Sequence, residues 1–314
     1  MMGETKAAPY SNFFRMWSSL ILLPPRTITI KIKSVSVSIT VVATQYQGNS
    51  LIYIAIVNHG HEALLMSGNL ERLGGADDRI KVVVKDNKPS TALKTYCDDR
   101  GIDYIDTNPG LGFGHNNNLI YQHVQKNFGF LPNDTFIVMN PDVTIDGRVV
   151  IEFVEHMRHE HCQIATLNLF RDKHFQQPDT NIRHFPHPFS LTKMGLNGSL
   201  TAPYEKETIL APCFVDWASG AFLAFDAAYY ATLGGFDLRY FMYFEDVDIC
   251  FRSRALLGKG VRYYPQFRAV HTAAHQNRRF GSKHALWFIQ SYFKFVVRRI
   301  ISAQHPRMIR STGE

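Results

Sequence analysis

From residue 51 onward the chain alternates short apolar runs with amphipathic stretches, and this alternation constrains the fold more than any other feature. Residues 52–57 are continuously apolar, which is typical of a parallel strand buried on both faces. Further strands are predicted over residues 80–85, 102–106, 135–140 and 261–264, with His271 just past the last of them, and helices over residues 61–73, 90–100, 115–126 and 149–159. Strands that alternate with helices predict an α/β fold with a doubly wound, mostly parallel sheet and flanking helices.

Three parts are expected along the chain: residues 1–50, 51–275 and 276–314. Residues 26–43 alternate apolar and polar side chains, which suits a strand, yet no later segment is an obvious partner for it. We therefore expect residues 1–50 to be an atypical extension that the rest of the protein does not need. Residues 170–212 contain five prolines and are predicted to form a long loop.

Charge is unevenly distributed along the chain. Residues 276–314 contain eight Lys or Arg residues and one acid, while the whole chain has a net charge of +7. A basic tail can meet nucleic acid, an anionic membrane or a phosphorylated ligand. No zinc-finger or RNP-like pattern supports nucleic acid as a partner. No apolar run reaches the roughly 18 residues that a membrane-spanning helix needs. The four cysteines have no CxxC spacing, so we expect reduced thiols in a cytoplasmic protein and no zinc site.

Two acidic signals point to chemistry on this scaffold. Glu245, Asp246 and Asp248 lie within four positions, among aromatic residues. Buried carboxyl groups this close repel each other, so at least one pKa is expected to rise, which lets a carboxylate accept a proton near neutral pH. The second signal, Asn140-Pro141-Asp142, ends a predicted strand, at the sheet edge where α/β proteins bind ligands. Together the two signals predict a metal-bound donor and a separate base.

An ordered set of motifs resembles the family 2 glycosyltransferases of the GT-A fold, and more closely the bacterial rhamnosyltransferases that build O-antigen polysaccharide. The resemblance spans roughly residues 51–305 and does not cover residues 1–50. Its motifs, in order, are residues 54–62 (IAIVNHGHE), 86–88 (DNK), 112–118 (GFGHNNN), 140–142 (NPD), 215–217 (VDW), 245–248 (EDVD), and Pro265 followed by His271.

The resemblance implies a divalent cation, Mg²⁺ or Mn²⁺, that bridges the diphosphate of a nucleotide-sugar donor. Asp142 matches the coordinating aspartate of the family. His271 resembles the histidine that completes the metal site in some relatives, although nearby His275 leaves the choice open. Imidazole suits Mn²⁺ better than Mg²⁺. Asn140 stands where many relatives have an aspartate, so either the metal affinity is lower or Asn140 touches the sugar. Without the resemblance, Asn-Pro-Asp is as readily a plain turn.

Asp246 is the predicted catalytic base. In the inverting mechanism that the resemblance implies, it removes the proton of an acceptor hydroxyl while that oxygen attacks the anomeric carbon. General-base help of this kind is worth on the order of 10²–10⁴ in rate. Glu245 is expected to tune or orient the base. Asp248 and Arg252 have i,i+4 spacing and are instead expected to form an ion pair on a helix.

The remaining predicted site residues fall into donor and acceptor groups. Those expected near the donor are Asn58, His59, Asp86, Gly114, Asn117 and Asn140. Those expected near the acceptor or its phosphates are Asp216, Trp217, Arg278, Arg279 and Lys283. Asp86 resembles the acid that hydrogen-bonds the nucleotide base, and ordinary turn chemistry is the alternative for it. Trp217 has a face that can stack on a sugar ring, and a buried core position is the alternative.

Residues 276–301 combine basic and large apolar side chains and are too charged to span a membrane. They predict an amphipathic helical segment that lies on an anionic membrane, which fits a lipid-diphosphate acceptor. The alternative is a helix that packs on the catalytic domain and has a solvated basic face.

The function that the resemblance implies is an inverting, metal-dependent glycosyltransferase. It would move L-rhamnose from dTDP-L-rhamnose to a polyprenyl-diphosphate-linked N-acetylglucosamine in O-antigen and lipopolysaccharide synthesis. The protein would be peripheral on the inner face of the bacterial inner membrane. A transferase for another nucleotide sugar, and a non-catalytic membrane-bound scaffold in polysaccharide assembly, are the alternatives.

Overall fold

The computed structural model describes residues 26–32, 35–41, 50–187, 200–272 and 283–304. The chain forms two compact units, one of Met1–Asn49 with Gly313–Glu314 and one of Ser50–Thr312. In the first unit, β1 (Arg26–Ile32) and β2 (Val35–Val41) pair as an antiparallel hairpin. The alternating segment therefore forms two strands that pair with each other, and the expectation of one strand without a partner was wrong.

A nine-stranded sheet forms the second unit. The strands of this unit are β3 (Ile52–Asn58), β4 (Ile80–Asp86), β5 (Asp103–Ile105), β6 (Thr135–Met139), β7 (Val143–Thr144), β8 (Ile164–Phe170), β9 (Ile182–Arg183), β10 (Cys213–Val215), β11 (Trp217–Ala218), β12 (Phe222–Asp226) and β13 (Val261–His271). The order across the sheet is β10-β13-β8-β12-β6-β3-β4-β5, and β7 pairs with β13. Neighbours from β6 to β5 are parallel, as are β8 and β13, whereas β12 runs antiparallel between β6 and β8. β9 and β11 form a separate ladder.

Eight α-helices are found among the described residues: α1 (Glu62–Leu64), α2 (Leu70–Gly74), α3 (Thr91–Asp98), α4 (Phe113–Asn127), α5 (Gly147–His159), α6 (Ala227–Thr232), α7 (Glu245–Leu257) and α8 (Lys283–Gln304). The single helix predicted over residues 61–73 is broken by a π-helical turn, Leu65–Asn69, in which Gly68 has a φ of 96°. No helix in the described part of the chain is long and apolar enough to cross a membrane.

β3 lies inside the sheet and is buried along its whole length. Tyr53, Ala55 and Val57 belong to the apolar core on one side of the sheet, and Ile52, Ile54 and Ile56 belong to the core on the other side. Because successive side chains of a strand point to opposite faces, burial on both faces requires a continuous apolar run. The predicted α/β fold, with its doubly wound, mostly parallel sheet, flanking helices and C-terminal helix, is confirmed.

β13 is longer than the predicted strand over residues 261–264. It continues to His271, with a shift of register against β8 between Tyr264 and Arg268. Pro265 lies in this irregular stretch and has no N–H to donate to a ladder. His271 was expected just past the strand, but it is the last residue of β13 and pairs with Val143 of β7. The extension brings His271 next to the segment that follows β6.

Candidate active site

The carboxyl ends of β3, β4 and β6 meet at one edge of the sheet, and three predicted site residues lie there. Asn58 and Asp86 end neighbouring strands and are opposite each other in register. Nδ2 of Asn58 donates to Oδ1 of Asp86 at 3.0 Å. Asn140 follows β6. In open α/β sheets this edge is the place where ligands bind.

Asp86 is fully buried, and its carboxylate is used within the protein. Besides Asn58, it accepts hydrogen bonds from the N–H groups of Lys88 (3.1 Å) and Ser90 (2.9 Å) and from the hydroxyl of Tyr104 (2.8 Å). These bonds fix the turn that begins α3, which is the ordinary turn chemistry considered as the alternative. Contact between Asp86 and a nucleotide base stays a prediction.

The side chain of Asn87 ties the glycine-rich loop to this edge. Its Nδ2 donates to the carbonyl of Leu111 at 2.9 Å, and its Oδ1 accepts from the N–H of Leu111 at 3.1 Å. The same amide lies 3.1 Å from Nδ1 of His59, a residue that is exposed overall. His59 is therefore the predicted donor-binding residue that is open to solvent at this edge.

The glycine-rich loop packs tightly against the protein interior. A Cβ atom at Gly112 would overlap the carbonyl oxygen of Phe241, and one at Gly114 would lie 2.8 Å from Cβ of Phe236. Asn117 is fully buried, and its Nδ2 donates within α4. The packing explains the small residues of the loop, and donor contact by Gly114 and Asn117 stays a prediction.

One turn, residues 219–221, joins the two acidic parts of the site. The N–H of Gly220 donates to Oδ2 of Asp246 at 3.2 Å. The carbonyl of the next residue, Ala221, accepts from the N–H of Asn140 at 2.9 Å. A side chain at Gly220 would collide with the ring of Phe113, so only glycine fits there. The Asp246 carboxylate and the Asn140-Pro141-Asp142 segment are thus held by consecutive residues at the same edge of the sheet.

His271 lies between two carboxylates. Its Nε2 is 3.4 Å from Oδ1 of Asp142, and its Nδ1 is 2.7 Å from Oδ2 of Asp179. Burial by itself lowers the pKa of His271, but the contacts with Asp142 and Asp179 outweigh burial and raise that pKa to about 9. The predicted proximity of Asp142 and His271 is confirmed, and a cation bound at Nε2 would take the place of a proton.

The Asp142–His271 pair fits a divalent cation. Neighbouring ligands in an octahedral Mg²⁺ shell lie roughly 3 Å apart, close to the 3.4 Å between Oδ1 of Asp142 and Nε2 of His271. Among the described residues, no three His, Cys, Asp or Glu side chains form a metal site by themselves. Water and donor phosphates would therefore supply the remaining ligands, as is usual for Mg²⁺. His275 lies outside the described residues.

Glu245 and Asp246 begin α7 in different surroundings. Asp246 is half-buried, and its Oδ1 accepts from the N–H of Val247 at 2.8 Å. Glu245 is buried, and its Oε2 has no hydrogen-bond partner within the described part of the chain. Burial, and then the negative charge of Asp246, raise the pKa of Glu245 well above its usual value. The expected rise in a pKa of this cluster is confirmed, and it falls on Glu245.

The turn before α7 has an uncommon backbone conformation. Tyr243 and Phe244 have φ values of 69° and 68°, in the left-handed region that residues other than glycine seldom occupy. Phe244 is buried against three aromatic rings of α8: Phe288, Tyr292 and Phe295. Oγ of Ser291 donates to the carbonyl of Met242 at 3.0 Å. The first half of α8 therefore holds the turn that presents Asp246.

Asp248 is fully buried in an ion-pair network. Its Oδ2 lies 2.8 Å from Nε of Arg252, so the predicted i,i+4 pair is confirmed. Its Oδ1 lies 2.9 Å from Nε of Arg298 in α8, in contact but not aligned as a hydrogen bond. Two guanidinium groups thus compensate one buried carboxylate, which points to a structural role for Asp248.

Asp216 and Trp217 are part of the packing around β9. Oδ2 of Asp216 accepts from the N–H of Phe185 at 3.0 Å, and Oδ1 pairs with Arg254. Trp217 is 8% exposed, and its indole N–H donates to the carbonyl of His184 at 2.9 Å. The buried alternative for Trp217 is borne out. Acceptor contact by either residue stays a prediction, and stacking on a sugar would require the indole to be uncovered.

The basic side chains of α8 do not form one outward face. Nζ of Lys294 donates to the carbonyl of Arg239 at 2.6 Å, and Arg298 also pairs with Asp237. Lys283 is exposed at the start of the helix. The alternative of a helix packed on the domain is borne out for α8, without the solvated basic face. Arg278 and Arg279 lie outside the described residues.

Two features of the site were missed from the sequence. Asp179 lies in the proline-rich segment, 92 positions before its partner His271, and no spacing rule connects them. The only local signal is a carboxylate next to Pro178. The support of the Tyr243–Phe244 turn by α8 was also missed, since it rests on contacts between distant segments.

Relatives of the chain are glycosyltransferases. The chain is 35% identical to rhamnosyltransferase WbbL of Escherichia coli K12 over 263 residues, which is 83% of this chain and 98% of that protein. It is 28% identical, over 68% of this chain and 72% of that protein, to N-acetylglucosaminyl-diphospho-decaprenol L-rhamnosyltransferase of Mycobacterium tuberculosis H37Rv. No family model matches the chain. The crystal structure of GalNAc-T7 with UDP, GalNAc and Mn²⁺ has a TM-score of 0.54 at 13% identity and covers 80% of this chain, which spans 48% of that one. The likeness to GalNAc-T7 is one of fold, the GT-A glycosyltransferase fold.

Proposed function

The chain belongs to the rhamnosyltransferase family of GT-A glycosyltransferases, and we propose that it is an inverting, metal-dependent enzyme that transfers L-rhamnose. The proposed donor is dTDP-L-rhamnose, and the proposed acceptor is a polyprenyl-diphosphate-linked N-acetylglucosamine. The name of the mycobacterial relative supports this acceptor chemistry. We further propose that the product serves O-antigen and lipopolysaccharide synthesis, and that the protein works as a peripheral protein on the inner face of the bacterial inner membrane.

Asp246 is the proposed base, and one observation carries this assignment. Consecutive residues of a single turn, Gly220 and Ala221, bond the Asp246 carboxylate and the backbone of Asn140. The base and the segment with Asp142 therefore border the same edge of the sheet. Two N–H groups, of Gly220 and Val247, fix the carboxylate, which favours a single orientation toward an acceptor hydroxyl.

In the proposed reaction one proton moves to Asp246, and the anomeric carbon exchanges its bond to the donor diphosphate for a bond to the acceptor oxygen. An oxygen of Asp246 takes the proton of the acceptor hydroxyl as that oxygen forms a bond to the anomeric carbon. The bond from the anomeric carbon to the donor diphosphate breaks on the opposite face, and its electron pair leaves with the nucleotide diphosphate. Burial, and then the charge of Asp246, raise the pKa of Glu245, which disfavours a second negative charge beside Asp246.

Asp142 and His271 are the residues that would hold the cation. Bound Mg²⁺ or Mn²⁺ supplies positive charge that neutralises the leaving diphosphate. Asn140 precedes this pair in the chain, and its neutral amide would contribute a weaker oxygen ligand than an aspartate, or a hydrogen bond to the sugar. His59, which is exposed at the end of β3 and contacts Asn87, is proposed to meet the donor.

Replacing Asp246 by Asn tests the proposed function. D246N is expected to lower turnover at least roughly a hundredfold, because an amide cannot accept the acceptor proton. One amide oxygen can still accept from Gly220 or Val247, so the variant should lose only about 1 kcal/mol of unfolding free energy. Release of nucleotide diphosphate, with dTDP-L-rhamnose and a lipid-linked acceptor, measures turnover.

D98N, which changes an exposed aspartate of α3, is the matched control and should keep wild-type turnover. Donor affinity of D246N, measured by calorimetry, should also remain near the wild-type value. Near-normal turnover of D246N would refute the assignment of Asp246 as base. The proposed donor would be refuted if the wild-type protein released nucleotide diphosphate from another nucleotide sugar but not from dTDP-L-rhamnose.

A further inference from the structure

α8 is apolar on both sides, and one side has no partner among the described residues. Its inner face is buried on the domain through Tyr292 and Phe295. Its outer face carries six large apolar side chains that are 41% to 56% exposed: Leu286, Ile289, Phe293, Val297, Ile300 and Ile301. Their spacing of three or four residues places them on one side of the helix. We call this set the outer stripe of α8.

The positive charge of α8 indicates which partner the outer stripe would bind. Lys283, Lys294, Arg298 and Arg299 are the charged residues of α8, and no acid occurs in residues 283–304. A symmetric contact with a second copy would set these positive residues against their own equivalents. An anionic lipid surface instead complements them and accepts large apolar side chains. We propose that the outer stripe inserts into the interface of an anionic bilayer, with the exposed Lys283 at the start of the helix facing lipid phosphates.

The membrane contact rests on the proposed function, because a lipid-linked acceptor would lie in the bilayer that the outer stripe contacts. It differs from a membrane contact made by basic side chains, since Arg298 and Lys294 bond to the domain. The inner face of the same helix holds the turn before Asp246. A bilayer seated on the outer stripe would therefore lie one helix diameter, about 10 Å, from the residues that hold the base.

Vesicle co-sedimentation tests the surface. The double variant F293D/V297D should bind vesicles of phosphatidylglycerol and phosphatidylethanolamine at least roughly tenfold more weakly than wild type, because two charges replace inserted apolar side chains. L210D is the matched control, since Leu210 is 90% exposed and lies outside the stripe. L210D should bind as wild type does. Wild type should bind phosphatidylcholine vesicles more weakly than anionic ones.

Several outcomes would refute the proposed membrane contact. Equal vesicle binding by wild type and F293D/V297D would show that the outer stripe does not contact the bilayer. A wild-type dimer without vesicles that becomes a monomer in the double variant would assign the stripe to a contact between copies. Transfer to a short-chain soluble acceptor should be unchanged in the double variant, which checks its fold. Wild type that binds vesicles but transfers no rhamnose would refute the proposed function and leave this surface standing.

A separate observation concerns Asp179. Its Oδ2 lies 2.7 Å from Nδ1 of His271, and its Oδ1 accepts from the N–H of Thr180 at 2.7 Å. The N–H of Asp179 donates to the carbonyl of Leu169 at the end of β8. The sheet thus fixes this carboxylate on the side of the imidazole that faces away from Asp142. We infer that Asp179 is a positioning residue that sets the tautomer of His271, so that Nε2 is free for a cation.

Binding of Mn²⁺ alone, followed by electron paramagnetic resonance, tests the role of Asp179. D179L removes the acceptor for Nδ1–H and should weaken Mn²⁺ binding roughly 10–100-fold. D179N keeps an acceptor oxygen and should restore most of the affinity. A D179N variant as weak as D179L would show that the negative charge of Asp179, and not its acceptor oxygen, supports the site, and would overturn the positioning role. Wild-type affinity in D179L would exclude any role. Wild type that bound no Mn²⁺ would refute the site itself, whatever the transfer assay showed.

Discussion

At the residue scale, the start of α7 separates two carboxyl groups by their surroundings. Glu245 is buried, and no described residue hydrogen-bonds its Oε2, while Asp246 is half-buried and receives two backbone N–H groups. Low polarity disfavours the ionised form of a carboxyl group, and a neighbouring negative charge disfavours it further. The raised pKa of Glu245 therefore favours its neutral form, in which it would not repel the charge of Asp246. This difference is what the proposed base at Asp246 needs, because the adjacent carboxyl group disfavours a second negative charge.

Replacing Glu245 by Gln should remove part of the pH dependence of stability. The pKa of Glu245 is raised above 4.5 in the folded protein, so the folded state keeps a proton that the unfolded chain loses as pH rises. The wild-type free energy of unfolding should fall above pH 4.5 until the folded pKa is passed, with a slope from this group of up to about 1.4 kcal/mol per pH unit. E245Q has a similar shape and no such proton. Urea unfolding between about pH 5 and pH 8 measures the difference.

E152Q is the matched control for this measurement, because Glu152 is exposed on α5. Its stability should follow the wild-type pH dependence. Parallel curves for E245Q and wild type over the whole range would mean that Glu245 is ionised in the folded protein. The proposed division of roles between Glu245 and Asp246 would then fail.

At the element scale, α8 belongs to the catalytic unit. Two consecutive residues with left-handed backbone, Tyr243 and Phe244, cost of order 1–3 kcal/mol each. Burial of Phe244 among aromatic rings of α8 returns roughly 1.5–3 kcal/mol, and Nδ1 of His284 bonds the hydroxyl of Tyr243 at 3.1 Å. Without the helix, this turn would relax toward a more common conformation. The direction of the first turn of α7, and so of Asp246, therefore depends on a helix that follows it by some forty residues.

Elements with local patterns were predictable from the sequence, and contacts between distant segments were not. β3 follows from a continuous apolar run, and α4 from a local helical pattern, because each signal lies within one short segment of the chain. Proximity of Asp142 to His271 came from family resemblance alone. Asp179 and the left-handed Phe244 leave no periodic signal, since both depend on long-range packing. The break near Gly68 was missed because apolar spacing continues across it.

At the scale of the whole molecule, the described residues divide into two units with separate sheets. β1 and β2 pair only with each other, and all nine strands of the large sheet come from residues after 50. The second unit is fixed from its first residues: the N–H of Leu51 donates to Oδ1 of Asp134 at 2.7 Å, and its carbonyl accepts from Thr135 at 2.9 Å. Among the residues whose side chains the structure describes, every member of the two apolar cores of the large sheet lies in that unit.

A variant that lacks residues 2–49 should therefore fold and work. Its free energy of unfolding should lie within about 1 kcal/mol of the full chain, and its turnover should be unchanged, because no strand or core residue of the large sheet is removed. A deletion of residues 2–54 is the sharp control, since it removes Ile52, Tyr53 and Ile54 from the buried β3 and should abolish folding. Thermal unfolding and nucleotide diphosphate release compare the three proteins. Loss of folding or turnover in the shorter deletion would show that the first 49 residues belong to the working enzyme, and the two-unit division would then not describe an independent catalytic part.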